Sequence, residues 1–267
     1  MDGRRRVTEA EYEHLNNLQI RMDTHRRYSE FPDDPDRALF DLLRLPSAAG
    51  LLDVGCGTGK FLHALAGQGH SGRLCGIDTS QEAVDTTRSV PGVEAIRAFA
   101  TKLPFADEEF SIVTARHMLY HVERPEAAVA ECRRILASGG TFAALVNHQV
   151  TARRTRDLVS AAARALGVPR SEPPINSVHS DSLPPMVEQV FGHAKVKRFD
   201  NALVFAEPAP LIAFALAISS FCGVSPEAAS DAGFAQEITA RVQHWFDANP
   251  GPWTDPKGYI ICTASHR

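Results

Sequence analysis

The stretch Leu51-Leu52-Asp53-Val54-Gly55-Cys56-Gly57-Thr58-Gly59 decides the fold. The apolar run at 51–54 predicts a short buried strand, and the alternating glycines predict a tight loop after it. Residues 61–66 continue with a pattern that is typical of a helix. A strand that passes through a glycine loop into a helix offers free backbone N–H groups to a ligand at the helix start.

The spacing of the glycines separates two classes of ligand. A dinucleotide loop has the pattern GxGxxG, whereas Gly55, Gly57 and Gly59 give GxGxG. Lys60 stands where the last glycine of the dinucleotide pattern belongs. Asp53 precedes the first glycine by two residues, where an acid attracts an ammonium group and repels a pyrophosphate. The loop therefore favours a ligand that carries an ammonium group over a dinucleotide.

Asp78 ends the second predicted strand, in Gly76-Ile77-Asp78-Thr79-Ser80. A carboxylate at this place can accept hydrogen bonds from both hydroxyl groups of a ribose. Dinucleotide folds share this feature, so it discriminates weakly. The alternative is that Asp78 only caps the helix that follows it.

Strands and helices alternate outward from the loop. Strands are predicted at 51–54, 73–77, 93–98, 110–115 and 141–146, and helices at 8–31, 36–45, 61–66, 81–89 and 126–136. Ser138-Gly139-Gly140 is expected to stop the last of these helices. The pattern predicts an α/β fold with a doubly wound, mostly parallel sheet and helices on both faces.

The second half of the chain is less regular. It predicts a helix at 151–166, a loop rich in Pro and Ser at 167–185, a strand at 193–206, two helical stretches, and a last strand at 259–264. Irregular segments of this kind usually carry specificity over a regular scaffold, so we expect the substrate side here.

Composition restricts the class of protein. With 44% hydrophobic and 22% charged residues, the 267-residue chain is typical of a soluble globular protein, and its net charge of −4 does not favour a nucleic-acid partner. The most apolar stretch, Leu211–Cys222, is too short to span a membrane. Scattered cysteines without a CxxC pair predict a reducing compartment and no Cys-based zinc site, and a start without a secretion signal predicts a cytoplasmic protein.

Several further motifs follow the loop in a fixed order. LLDVGCGTG is followed by GIDTS, Leu103-Pro104-Phe105, Phe110-Ser111-Ile112-Val113, His121-Val122, and ECRRIL at 131–136 before Gly139-Gly140. As a set, these motifs resemble the class I (Rossmann-like) S-adenosylmethionine-dependent methyltransferase family. The resemblance is strongest to its small-molecule branch, which includes the ubiquinone and menaquinone biosynthesis enzymes. It implies a seven-stranded sheet whose last strand is antiparallel.

The resemblance also implies which residues contact the cofactor, S-adenosylmethionine, or its product, S-adenosylhomocysteine. Asp53 and the glycine loop hold the methionine end, Asp78 holds the ribose, and the segment before Leu103 packs on the adenine. Many relatives have an acid at the position of Phe99, which here either stacks on the adenine or faces the core. The residues predicted to bind the cofactor are Asp53, Gly55, Cys56, Gly57, Gly59, Asp78, Thr79, Phe99, Ala100, Thr101 and Arg116, with Arg21, His25 and Tyr28 from the N-terminal helix.

The family suggests a division into domains. Residues 1–38 are expected to form an N-terminal helical lid that closes on the cofactor, and residues 39–267 the methyltransferase domain. Its cofactor half covers about 39–150, and substrate-side inserts cover about 151–192 and 207–257. The alternative for the polar residues of the first helix is that they form its solvent-exposed face. We expect a monomer or a homodimer.

Methyl transfer is an in-line displacement that requires alignment and exclusion of water. A base is needed only where the acceptor still holds a proton when it attacks. His117 and His121 follow the fourth strand and His148 follows the fifth, at the edge where ligands bind in such sheets. These three histidines are the candidate catalytic residues, and for each the alternative is a structural role. No third ligand accompanies His117 and His121, which disfavours a metal site.

The predicted function is methyl transfer to an O, N or C atom of a small molecule, in secondary metabolism or quinone biosynthesis. One alternative is a nicotinamide-dependent oxidoreductase, which Asp53 and the missing third glycine disfavour. Another is a protein that binds the cofactor without turnover. The last is a nucleic-acid methyltransferase, which the lack of a basic stripe and the sequence Arg116–Leu119, in place of an Asn-Pro-Pro-Tyr type tetrapeptide, disfavour.

Overall fold

A computed structural model describes residues 17–171 and 178–266, which fold into two compact units. The sheet unit consists of the described residues of Asp34–Gln149, Asn176–Phe199 and Tyr259–Arg267. The helical unit consists of those of Met1–Asp33, Val150–Ile175 and Asp200–Gly258. Residues 34–38 of the predicted lid therefore belong to the same unit as most of the predicted cofactor half.

Within the part of the chain that the structure describes, seven strands form one sheet. They are β1 Leu51–Val54, β2 Leu74–Asp78, β3 Val93–Arg97, β4 Phe110–Arg116, β5 Leu136–Asn147, β6 Lys195–Phe205 and β7 Trp253–Ser265. Their order is β3-β2-β1-β4-β5-β7-β6, and β1 to β5 pair in parallel. The last strand, β7, is antiparallel to β5, with Thr141 opposite Ser265. The predicted seven-stranded, mostly parallel sheet with an antiparallel last strand is confirmed.

Each helix lies within one of the two units. In chain order they are α1 (17–27 within the described residues), α2 Pro35–Leu43, α3 Lys60–Gly67, α4 Gln81–Arg88, α5 Pro125–Ile135, α6 Arg153–Ala165, α7 Leu183–Phe191, α8 Pro208–Ala217, α9 Pro226–Ala229 and α10 Ala232–Ala248. Helices α2 to α5 and α7 lie in the sheet unit. Asp34 caps α2 by accepting from the Arg37 N–H, and Ser80 caps α4 in the same way through Ala83.

Strand β1 lies between β2 and β4 in the sheet, and all four of its residues are buried because helices pack on both of its faces. Leu52 and Val54 pack in a hydrophobic cluster with residues of α5 and α7, whereas Leu51 packs in a second cluster with residues of α2 and α3. Side chains alternate between the faces of a strand. Asp53, the one charged residue of β1, therefore shares the α2 and α3 face with Leu51.

The junction between α5 and β5 differs from the prediction. The helix ends at Ile135, and β5 begins at Leu136, so Ser138-Gly139-Gly140 lies inside the strand and does not stop the helix. Gly139 has a φ of +75°, and the pairing of β4 with β5 shifts register beside this segment. The glycines therefore accommodate a strand irregularity, and the prediction that they stop the helix is wrong.

In the helical unit, α6, α8 and α10 surround a hydrophobic cluster that includes Phe205, Phe214 and Ile238. The start of α6 is capped from a distant part of the chain, because the buried carboxylate of Asp255 accepts from the backbone N–H groups of Arg154 (2.9 Å) and Thr155 (2.7 Å).

The sequence predicted neither α7 nor a third helix between β6 and β7. Helix α7 begins inside the predicted loop at 167–185, of which residues 172–177 lie outside the described residues. The apolar stretch Leu211–Cys222 forms most of α8 and a 3₁₀ turn. Across 17–171 and 178–266, no helix has both the length and the apolar character needed to cross a membrane.

Candidate active site

The glycine loop lies between the end of β1 and the start of α3, and its three glycines all have positive φ angles: +68° at Gly55, +53° at Gly57 and +72° at Gly59. A Cβ atom at Gly55 would lie 2.6 Å from the Cβ of Met118, and one at Gly59 would lie 2.7 Å from Oγ1 of Thr87. A Cβ at Gly57 would meet no atom within 4 Å. Packing therefore requires glycine at the two outer positions, whereas Gly57 faces open space.

Asp78 lies beside this loop at the end of β2. Its Oδ2 accepts the backbone N–H of Gly57 at 2.9 Å, and its Oδ1 accepts that of Ser80 at 3.0 Å. The cap of α4 is Ser80, and Asp78 is not. The alternative interpretation of Asp78 as a mere helix cap is therefore wrong. Each carboxylate oxygen keeps a lone pair for a further donor.

Phe99 and its neighbours follow β3 at the same edge. The Phe99 side chain is 70% exposed, and Lys102 N–H donates to the Phe99 carbonyl at 3.0 Å, so the segment is a tight turn. Ala100 is buried and Thr101 is half-buried. The exposure of Phe99 excludes the interpretation that its ring faces the core and leaves it available for stacking.

Cys56 and Thr79 adjoin the same loop ends. Cys56 is buried, with its Sγ 3.7 Å from Oγ1 of Thr87, and burial raises the pKa of the thiol to about 12. Thr79 is exposed, and its carbonyl accepts from Nε of Arg97 at 2.9 Å. A buried neutral thiol can contribute to a site here only through its backbone.

Asp53 is fully buried and strongly bonded. Its Oδ1 accepts from the Thr114 hydroxyl at 2.7 Å and from Nε of Arg116 at 3.2 Å, and its Oδ2 accepts from Nη2 of Arg116 at 3.0 Å. Arg116 also pairs with Asp36 of α2 at 2.5 Å, and its guanidinium lies 4.1 Å from the ring centroid of Phe61. An ammonium group that approaches Asp53 therefore shares the carboxylate with a guanidinium.

Burial and pairing act in opposite directions on this cluster. Burial by itself would lower the pKa of Arg116, but the carboxylates of Asp53 and Asp36 outweigh it and raise the pKa. Burial raises the pKa of Asp36, and Arg116 partly offsets the rise. The guanidinium is therefore charged at every physiological pH.

The three candidate histidines differ in conformation and exposure. His117 follows β4 directly with a φ of +51° and is half-buried. His121 ends the 3₁₀ turn Leu119–His121 and is exposed, with its ring 4.6 Å from that of Tyr120. His148 is only 5% exposed, and its Nε2 lies 3.1 Å from the Phe199 carbonyl oxygen. His148 is thus the least accessible of the three.

The remaining predicted residues, Arg21, His25 and Tyr28, lie in the helical unit. Nη1 of Arg21 donates to the Ala217 carbonyl at 3.2 Å, and the Tyr28 ring stacks on Phe205 at 5.2 Å. All three are half-buried, so they do not form a solvent-exposed helix face. Their predicted contact with the cofactor stays a prediction.

Charged side chains surround His25 in the same unit. Burial, together with the positive charges of Lys257 and Arg21, lowers the pKa of His25 to about 4, although Asp33 opposes the shift. Lys257 pairs with Asp33 at 2.9 Å. The imidazole is therefore neutral at physiological pH.

Sequence reasoning missed the residues that hold the loop and its acid in place. They are Asp36, Phe61, Thr87, Thr114 and Met118. One signal was available: Thr114 and Arg116 alternate on a strand that pairs with β1, which places both on one face. Among the described residues, no group of three or more His, Cys, Asp or Glu side chains is placed to hold a metal ion.

Comparison with known proteins supports the predicted resemblance to methyltransferases. Residues 52–144 match the family described as a methyltransferase domain. The demethylmenaquinone methyltransferase of Staphylococcus saprophyticus is 28% identical over 147 residues, which are 53% of this chain and 60% of that protein. The uncharacterized methyltransferase YcgJ of Bacillus subtilis is 36% identical over 104 residues, 37% of this chain and 40% of that protein. The chain spans between 31% and 60% of the length of its first curated relatives.

Solved structures share the fold. The crystal structure of YcgJ superposes with a TM-score of 0.58 over 87% of this chain and 97% of that one, at 18% identity. The [4+2]-cyclase SpnF superposes with a TM-score of 0.53 over 86% of this chain and 80% of that one, at 21% identity. Residues 52–144 thus match a methyltransferase domain, and the predicted resemblance to class I S-adenosylmethionine-dependent methyltransferases is confirmed.

The space in front of Gly57 leads to the first prediction. Gly57→Ala should lower the affinity for S-adenosylhomocysteine at least about tenfold, or about 1.4 kcal/mol, because the new methyl group enters that space. Isothermal titration calorimetry measures this affinity.

The matched control is Gly92→Ala. Gly92 has a φ of +81°, its Cβ would also meet nothing within 4 Å, and it precedes β3 at the opposite edge of the sheet. Both variants should lose similar stability from the strained backbone. Equal affinities in the two variants would show that the loop does not approach the ligand.

The second prediction concerns the buried ion pair. Arg116→Met should lower the free energy of unfolding by about 3–5 kcal/mol, because it leaves the carboxylate of Asp53 buried and unpaired. The double variant that adds Asp53→Asn should recover part of the loss. Urea unfolding measures both.

Arg37→Met is the control, since Arg37 pairs with Asp41 at 3.0 Å on the surface, where such a pair contributes about 0–1 kcal/mol. If Arg116→Met costs no more than Arg37→Met, the buried pair does not stabilise the end of β1.

Proposed function

We propose that the chain is an S-adenosylmethionine-dependent methyltransferase that acts on a small molecule. The observation that carries the proposal is the open space at Gly57, which borders the carboxylate of Asp78 in a loop where the other two glycines are closely packed. A nucleoside that carries an amino acid fits this site for two reasons. The space at Gly57 lets the ligand approach the backbone of the loop, and the carboxylate of Asp78 can accept hydrogen bonds from the ribose.

The residues present fit the cofactor. Asp78 is assigned to the two ribose hydroxyls, the exposed ring of Phe99 to the adenine, and the loop 55–59 to the methionine end. Arg116, which pairs with Asp53, is assigned to the charged amino-acid end of the cofactor. When bound, the cofactor supplies an activated methyl group on a sulfonium.

The chain's own task in catalysis is to align the acceptor and to take its proton where it has one. His117 is proposed for this role because it directly follows β4 in the left-handed region, which non-glycine residues seldom adopt. Such strain often accompanies functional positions. His121 and His148 are the other candidates from the sequence, the first being exposed and the second buried.

The acceptor class rests on the relatives. The relative from Staphylococcus saprophyticus is named a demethylmenaquinone methyltransferase, which supports a small, flat acceptor and a role in quinone biosynthesis or secondary metabolism. The atom that receives the methyl group is O, N or C. The cytoplasmic location, the lid at 1–38 and the monomeric or dimeric state stay predictions.

The third prediction tests the cofactor. S-adenosylhomocysteine at millimolar concentration should raise Tm, because it binds only the folded state, and the stabilisation would be about 2.7 kcal/mol at about 100 times its Kd. NAD at the same concentration should not. A shift with NAD alone would favour the oxidoreductase, and no shift with either would remove the methyltransferase proposal.

Asp78→Ala should weaken S-adenosylhomocysteine binding by about 1–3 kcal/mol, the cost of unpaired ribose hydroxyls. Asp85→Ala on α4 is the control, because Asp85 is exposed and bonds to Gln81 of its own helix. The role of Asp78 is refuted if both variants bind like the wild type.

The fourth prediction concerns His117 and uses an acceptor found by screening phenols, amines and quinols. His117→Asn keeps a residue that tolerates a positive φ but removes the base. If the acceptor must lose a proton, kcat should fall by about 10²–10⁴-fold with cofactor affinity unchanged.

Transfer of a labelled methyl group measures kcat. If kcat falls in His121→Asn and not in His117→Asn, the base is His121, and the assignment of His117 is wrong. Cofactor binding without any transfer to the screened acceptors would favour a protein that uses this fold for another purpose, as the SpnF cyclase does.

A further inference from the structure

The helical unit contains a cavity of about 360 Å³ that the proposed function does not use. Its apolar wall consists of Leu158 of α6, Trp245 and Ala248 of α10, and Trp253 of β7. The two indole rings meet edge to face, with centroids 5.0 Å apart and an interplanar angle of 78°. Cavities of this size hold small molecules, and paired indoles favour a flat aromatic ring.

The rim of the cavity is polar, and none of the described residues that line it is acidic. Arg241, His244 and Asn249 complete its lining. Arg241 lies on α10, and its Nε donates to Glu237 at 2.6 Å. Among the residues that the structure describes, Glu237 is the partner of Arg241, which leaves the two Nη groups for another acceptor.

Arg154 lies over the two indole rings of the aromatic wall. Its guanidinium lies 4.1 Å from the ring centroid of Trp253 and 5.5 Å from that of Trp245. The nearby carboxylate of Asp255 is engaged at the start of α6 and is fully buried. Within the described lining, Arg241 is the one side chain with a permanent charge, and its two Nη groups can donate to an anion.

We propose that this cavity binds a small aromatic anion, with its ring against Trp245 and Trp253 and its anionic group at Arg241. The apolar wall matches the ring of such a ligand, and the polar rim matches its anionic group. The proposal does not rest on the proposed function, because every residue that carries it lies in the helical unit and none belongs to the glycine loop or to the strand ends of the sheet unit.

Tryptophan fluorescence tests the proposal directly. The chain has two tryptophans, and both line the cavity. The probe is 4-nitrobenzoate, whose nitroaromatic ring quenches indole emission on contact, and the control is 4-nitrobenzamide, which has the same ring without the charge. We expect saturable quenching by the anion, with an affinity at least about tenfold above that of the amide. Linear quenching equal to that of free N-acetyltryptophanamide would overturn the proposal.

Two variants locate the ligand in the cavity. Arg241→Gln should weaken 4-nitrobenzoate binding about tenfold and leave 4-nitrobenzamide binding unchanged. Arg164→Gln is the matched control, because Arg164 is exposed on α6 and does not line the cavity. It should leave the affinity for both probes unchanged.

Ala248→Phe is expected to abolish saturable quenching by both probes. Ala248 is exposed at the end of α10, so a larger side chain there should occupy the cavity without unfolding the unit. Circular dichroism checks the fold. The proposal is overturned if a folded Ala248→Phe variant still binds the anion, or if Arg241→Gln and Arg164→Gln bind it equally.

Discussion

The buried carboxylate of Asp53 is the constraint on which the rest of the site depends. An unpaired charge at this depth would cost several kcal/mol, so the neighbouring strand has to supply its partners. Thr114 lies directly opposite Asp53 in the sheet, and Arg116 follows two residues later on the same face. Since Arg116 also pairs with Asp36, one guanidinium joins β1, β4 and the first turn of α2. The glycine loop therefore begins from a strand end that is held on two sides.

The loop shows how one sequence motif serves both packing and binding. Gly55 and Gly59 are required by their neighbours, because Met118 and Thr87 fill the space that a side chain would need. Thr87 also donates its hydroxyl to the Gly57 carbonyl at 3.1 Å, and Asp78 accepts the Gly57 N–H. The backbone at Gly57 is thus held from two sides while its Cα faces open space. A loop fixed in this way needs little reorganisation when a ligand arrives.

The sequence predicted the sheet better than the contacts of the site. Strands β1 to β4 were predicted to within about a residue, because apolar runs and glycine signals are local. The prediction for the α5–β5 junction was wrong. A Gly-Gly pair such as Gly139-Gly140 can end a helix or accommodate a strand irregularity, and the local sequence does not distinguish the two. Asp53 was interpreted from the loop alone, whereas its partner Arg116 is 63 residues away along the chain and reaches it only through strand pairing. The exposure of Phe99 likewise depends on a turn that no periodicity predicts.

The same distinction explains why the aromatic cavity is harder to predict than the cofactor site. Most of the residues assigned to the cofactor lie close to one another along the chain, next to the ends of β1 and β2, so a motif reveals them. The helical unit is assembled from three separate segments, and its aromatic cavity needs side chains from α6, α10 and β7. Trp245 lies within α10 and Trp253 begins β7, and nothing in the sequence relates either of them to Leu158. Only packing brings them together, and specificity that is built by packing leaves no contiguous pattern to recognise.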